Sequence, residues 1–323
     1  MKKLLPVTGA LVALTLSLGA LAGPAAASAT ATPAHVLAHF DFTEHQTPEN
    51  LAVEPGGAVD LTFSVARQVA RVQPDGKVRV LATMPLPKDG GANTPVLGFA
   101  ATMGLVRGGD GTVYFLYAAG SRKLTGVWRL RPHGRPERIA ALPADSLPNG
   151  LALDGHSGTL YVADSALGRV WSVPVGGGRA TVWSDASELA AVHYLGANGI
   201  KVHDDAVWVS NTDQGTVVRI PLLPDGRASR DPQVWASGLD AVDDFAFTGP
   251  GPQLLVALNK SDQVVRVDQG GVVTPVLGPA DGLENPSSLA VDAGSVYVAS
   301  AAYLTHVDPN LLTASLGALT GRD

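Results

Sequence analysis

One phrase of sequence recurs six times along this chain, and that recurrence limits the fold more than any other feature. The clearest copy opens with Pro148-Asn149-Gly150-Leu151-Ala152-Leu153 and continues with Thr159-Leu160-Tyr161-Val162-Ala163-Asp164. Arg169-Val170-Trp171-Ser172-Val173 follows, and Gly178-Arg179-Ala180-Thr181-Val182-Trp183 closes it. Each run alternates apolar and polar residues, and Gly, Asp and Ser stand between the runs. That pattern belongs to an antiparallel meander. The copies align on Leu51, Leu105, Leu151, Ile200, Ala246 and Leu289, at spacings of 54, 46, 49, 46 and 43 residues. This is the period of a four-stranded propeller blade. The expected fold is all-β, a six-bladed β-propeller of four-stranded antiparallel blades.

The last copy is short of an outer strand. Its runs are read at 287–291, 295–299 and 304–307, and a Leu- and Ala-rich tail follows. The segment 35–42, His35-Val36-Leu37-Ala38-His39-Phe40-Asp41-Phe42, precedes the first blade and can supply the missing strand. Closing the ring in this way removes free sheet edges. The chain has no Cys, so no disulfide holds it.

The first 29 residues read as a secretory signal. Lys2 and Lys3 precede an apolar run from Gly9 to Ala22, and Ala27-Ser28-Ala29 gives an Ala-x-Ala step. The apolar run falls short of the roughly 20 residues that a membrane span needs. The expected organisation is signal 1–29, propeller 30–310 and tail 311–323. The mature protein is then expected to be secreted or periplasmic, free of the membrane and monomeric. A net charge of -6 argues against a nucleic-acid partner, which calls for a basic face.

The register also points to a site. The residue that begins each innermost strand faces one mouth of the central channel. Two positions before the anchors stand Glu49, Met103, Asn149, Asn198, Asp244 and Ser287. Glu49, Asn149, Asn198 and Asp244 are hard oxygen donors, which suit a divalent metal and Ca²⁺ best. The set has no His or Cys, which makes Zn²⁺ a poorer match. Each residue has a plainer reading. Asn-Gly is a common turn dipeptide, Asp244 can cap a loop, and Glu49 can be solvated. Asp164, Ser165, Ser210, Asn211 and Asn259 end second strands near the same mouth and can orient the ligands. Asp243 is expected to point to the opposite strand face from Asp244. His193 lies in a loop that can reach the mouth as an acid or base.

These motifs resemble the senescence-marker-protein/gluconolactonase family, which includes luciferin-regenerating enzyme. The resemblance rests on Glu49-Asn50-Leu51-Ala52-Val53, Pro148-Asn149-Gly150-Leu151-Ala152, Gly196-Ala197-Asn198-Gly199-Ile200 and Asp243-Asp244-Phe245-Ala246-Phe247, and spans about residues 40–310. It implies a six-bladed propeller with a divalent metal, usually Ca²⁺, held by Glu49, Asn149, Asn198 and Asp244. It also implies hydrolysis of lactones or related esters as small-molecule substrates, with Asp244 or Glu49 as the catalytic carboxylate. Two other readings stay open. One is a non-catalytic binding propeller stapled by its metal; the other is a non-hydrolytic biosynthetic enzyme.

Overall fold

A computed structural model describes residues 34–321. The expected signal 1–29 lies outside the described residues. Six four-stranded antiparallel sheets are present, each pairing strands in meander order. Their innermost strands are Pro48–Val53, Ala101–Arg107, Pro148–Asp154, Ala197–His203, Val242–Phe247 and Pro286–Asp292. Each packs against the innermost strand of the next blade, and the last packs against the first. The described residues therefore form a closed six-bladed β-propeller.

The core lies between blades. Leu151 joins Leu116 of blade two, whereas its neighbour Ala152 joins Val207 and Val209 of blade four. Alternate residues of an inner strand thus face the two adjoining blades, which explains why these strands are apolar on both sides. Second strands show the same burial: every residue of Val113–Ala118 and of Leu254–Leu258 is buried. Burying a large side chain such as Phe115 contributes about 1.5–3 kcal/mol. Among the described residues the one α-helix is Leu316–Thr320.

The N-terminal segment closes the ring as expected. His35–His39 pairs with Asn310–Ser315, setting His35 opposite Thr313 and His39 opposite Asn310. The partner strand corrects the sequence reading. The third strand of blade six is Asn310–Ser315, and 304–307 lies in the loop before it. Burial decides between them: Leu311 and Leu312 are 0% exposed, whereas Leu304 and Val307 are 64% and 73% exposed. Leu311 packs toward blade one and Leu312 toward blade five. Two adjacent buried leucines break the alternation that marks a strand in sequence. Residues 310–315 consequently belong to the propeller rather than to a tail.

The inner strands are not regular. In blades two to five the pairing skips two residues, Met103-Gly104, Asn149-Gly150, Asn198-Gly199 and Asp243-Asp244. Each pair sits in a bulge that re-aims side chains. The anchors that resume pairing are Leu105, Leu151, Ile200 and Phe245. Blade five is therefore anchored on Phe245, one residue before Ala246.

Candidate metal centre at one mouth of the channel

That single step changes the ring. Aligned on Phe245, the position held by Asn149 and Asn198 falls on Asp243, and Asp244 takes the place of Gly150 and Gly199. A slip of one residue exchanges the two faces of a strand. The channel ring is then Glu49, Met103, Asn149, Asn198, Asp243 and Ser287. The charge of Glu49 raises the pKa of the Asp243 carboxyl and the Asn198 side chain lowers it, which places both residues near Asp243.

The position after the ring residue faces the next inner strand at close range. A Cβ on Gly150 would lie 2.1 Å from the carbonyl oxygen of Asn198, and one on Gly199 would lie 2.6 Å from Asp244 Oδ1. These glycines permit backbone approach between blades. The Asn-Gly pairs are thus parts of inner strands, not hairpin turns. Asp244 occupies the same inter-blade position and is spent there. Lys201 Nζ donates to its Oδ1 at 2.6 Å and Ser288 Oγ to its Oδ2 at 2.7 Å. Both carboxylate oxygens of Asp244 tie blade five to its neighbours.

The ring residues are oriented from one repeated place, the residue after the second strand. Ser165 Oγ accepts from Asn149 Nδ2 at 3.1 Å and donates to the carbonyl of Ala197 at 2.6 Å. Thr212 Oγ1 accepts from Asn198 Nδ2 at 2.9 Å and donates to the carbonyl of Val242 at 2.8 Å. A hydroxyl has one proton to give. Since that proton goes to a carbonyl, each hydroxyl must receive the amide NH₂. The Oδ1 atoms of Asn149 and Asn198 accept no hydrogen bond from the described residues and stay available as ligands. In blade five Asn259 Nδ2 donates to Asp243 Oδ2 at 3.2 Å. In blade one Ser64 meets the hydroxyl of Tyr303 at 2.6 Å, and Tyr303 donates to Glu49 Oε2 at 2.5 Å. Where the ring residue is Met103, the corresponding residue is Ala119. Where it is Ser287, turned away to the carbonyl of Pro48, that residue is Ala301.

The electrostatics fit this geometry. Burial pushes the Glu49 carboxyl up to about 7; the Tyr303 hydrogen bond opposes the shift, and the charge of Asp244 adds to it. Asp243 is pushed well above the ordinary carboxylate range by burial, then by the charges of Glu49 and Asp244. Among the described residues neither carboxylate has a Lys, Arg or His partner, and no group of three His, Cys, Asp or Glu gathers. The donor set is two carboxylates and two amide oxygens, which fits a hard divalent cation such as Ca²⁺.

The other sequence candidates divide. Ser210 accepts from Gly199 N at 2.7 Å and donates to the carbonyl of Asp243 at 2.6 Å, holding the bulge between blades four and five. Asp164 instead gathers Ser146, Leu147 N, Leu167 N and Trp171 Nε1, and so braces a loop of blade three. Asn211 braces the loop at Glu188 and Ala190. His193 is exposed, and its backbone N–H is held by Asp213. Sequence reading missed Thr212, Ser64 and Tyr303. Thr212 and Ser64 carried a signal, because they occupy the same repeat position as Ser165. Tyr303 carried none; it comes from an irregular loop of blade six.

No family model matches this chain, and no curated protein does. Solved structures are similar. The calcium-binding protein regucalcin from Agrobacterium tumefaciens aligns at TM-score 0.64 and 15% identity, covering 88% of this chain and 93% of that one. A gluconolactonase from Xanthomonas campestris aligns at 0.63 and 17%, covering 87% and 88%. Virginiamycin B lyase from Staphylococcus aureus aligns at 0.58 and 14%, covering 86% and 98%. In fold, then, this chain stands among propellers that include gluconolactonase and regucalcin.

Proposed function

We propose that this protein is a secreted, divalent-cation-dependent hydrolase of lactones or related esters, with Ca²⁺ as the cation. The observation that carries the reading is the ring itself. Glu49, Asn149, Asn198 and Asp243 present oxygen donors from four blades, and each is oriented by its own blade or a neighbour. These four residues would hold the cation. When bound, it would polarise a carbonyl oxygen and lower the pKa of a water. The remaining work falls to the chain. Asn149 and Asn198 keep their oxygens toward the channel because Ser165 and Thr212 hold their NH₂ groups. Tyr303 fixes Oε2 of Glu49 and leaves Oε1 directed elsewhere. Asp243, anchored at Oδ2 by Asn259, would take a proton from water, the role that the sequence offered to Asp244 or Glu49. The closed ring gives a ligand one polar mouth lined by these groups.

The test joins metal analysis to a screen. Purified protein is assayed on lactones and aryl esters with and without chelator, beside Glu49→Gln, Asn198→Ala and Asp243→Asn. The expected result is one equivalent of metal and turnover that falls at least about a hundredfold on chelation and in each variant, as loss of electrostatic stabilisation implies. Turnover indifferent to chelator and to Asn198→Ala would overturn it. A chain that binds metal yet stays silent across the screen is instead the metal-stapled binding propeller.

A further inference from the structure

The opposite face of the propeller carries charge that the channel site does not use. Glu54 follows the inner strand of blade one, five residues beyond Glu49. At the ordinary rise of a strand that is about 16 Å away. Here blades one and two part to leave a cleft of about 680 Å³, lined by Arg71 and Arg79 on one wall and by Arg107, Arg131 and His133 on the other, with Glu54 and Asp110 as the carboxylates of the lining, so that the bases outnumber the acids. A space of that size suits a small molecule.

At its base two guanidinium groups are fixed side by side. Arg71 donates from Nε to Asp60 Oδ1 at 2.8 Å and from Nη2 to Asp60 Oδ2 at 3.1 Å. Its Nη2 also meets Glu54 Oε1 at 2.5 Å, and Arg107 Nε reaches the same oxygen at 2.9 Å. Asp60 is fully buried, so this platform is rigid. Strand register then adds a charge that the platform does not balance. Asp60 lies opposite Arg71, and Arg71 lies opposite Arg79. Like charges directly across a sheet are unfavourable. Among the described residues no carboxylate pairs with Arg79. On the facing wall Arg131 gives one bond, from Nη1 to Glu137 at 3.2 Å, and keeps other donors. A basic lining is not general on this face. The cleft between blades three and four is lined by Asp154, Asp205 and Asp225 instead.

An oxyanion between the walls would relieve the Arg71–Arg79 repulsion and accept forked hydrogen bonds that match guanidinium geometry. We infer that this cleft binds a small ligand bearing phosphate or carboxylate groups, gripped by Arg79 and Arg131 above the Arg71–Arg107 platform. The inference is independent of the channel site and its cation.

Calorimetry on the full chain tests it, using inorganic phosphate and succinate, each against sodium chloride at equal ionic strength. The two probes separate a phosphate from a carboxylate ligand. Binding of one or both at one site per chain is expected. The double variant Arg79→Ala/Arg131→Ala should weaken it at least tenfold, and the double lysine variant should restore only part. Arg79 and Arg131 lie at the rim, and circular dichroism checks that these variants fold. No binding above the chloride control with either probe would overturn the inference. So would equal affinity in the double alanine variant.

Discussion

Asp243 and Asp244 are adjacent, yet they belong to two differently served regions. Asp244 lies between blades, where Lys201 and Ser288 take both its oxygens. Asp60 is likewise matched by Arg71, with Arg107 close by. Asp243 and Glu49, at the channel mouth, receive amide and phenol donors but, among the described residues, no Lys, Arg or His. A buried carboxylate without a countercharge is costly. Among the described residues, cationic side chains serve the inter-blade carboxylates Asp60 and Asp244, and none serves the ring pair. The proposed cation at the mouth would supply the missing countercharge.

The largest expected effect tests that contrast directly. Calcium chloride at a thousandfold the dissociation constant should stabilise the metal-free protein by about 4 kcal/mol. The measurement is the shift of the urea midpoint at constant ionic strength. Glu49→Gln and Asp243→Asn should abolish the shift, whereas Asp244→Asn should keep it. A shift that survives Asp243→Asn and vanishes in Asp244→Asn would return the ligand role to Asp244.

Next in size is a pH effect. The folded-state pKa of Glu49 is raised from 4.5 to about 7 by burial. A raised pKa contributes stability that is fully present below the unfolded value and lost as pH rises through the folded one. The metal-free protein should therefore lose stability between pH 4.5 and 7, by about 3 kcal/mol from Glu49 at 1.36 kcal/mol per pH unit. Asp243 is shifted in the same direction. Bound cation favours the ionised carboxylates and should flatten or reverse the slope, and Glu49→Gln should flatten it without metal. Stability curves in urea across this range, with and without calcium, give the comparison. A metal-free protein that gains stability over the same range would contradict the uncompensated burial of Glu49.

Asp244→Asn should cost less, about 2 kcal/mol, as for a hydrogen bond to a charged group. Lys201 is partly exposed and can recover hydration once its partner is neutral. Lys201→Met removes the same pair from the other side but strands a carboxylate that is 2% exposed, so it should cost more. Equal losses in the two variants would mean that Asp244 is not confined as its burial indicates.

Most of the fold was legible because a propeller writes one physical requirement six times. Period-two runs and turn residues recur with each blade, and so the ring and its closure by the segment 35–42, whose strand is His35–His39, were legible in the sequence. What was not legible lies where the period breaks. In blade five Phe245, Ala246 and Phe247 are all apolar, so sequence alone leaves two registers open, and the bulge at Asp243-Asp244 decides between them. In blade six Leu311 and Leu312 are buried against different neighbours, which hides the strand. The turn that Asn-Gly also allowed is ruled out by contact with the adjoining inner strand, which lies about 50 residues away in sequence.

Tyr303 is the sharpest case, because it reaches Glu49 across the seam where the ring closes. It follows Ala302, whose φ of 52° is left-handed, in a loop that no repeat predicts. Its hydroxyl links Ser64 of blade one to Glu49. Tyr303→Phe keeps the ring and removes that link, at a cost of about 1 kcal/mol. It also removes the hydrogen bond that, among the described residues, holds the Glu49 carboxyl down against burial. The variant should therefore require a higher pH for half-maximal calcium binding, with little change in affinity well above that pH. Calcium titrations from pH 5 to 8 separate the two effects. If Tyr303 only packs the loop, the variant will lose stability while its pH profile stays with the wild type. A displaced profile assigns Tyr303 to the mouth as the residue that keeps Glu49 ready to ionise.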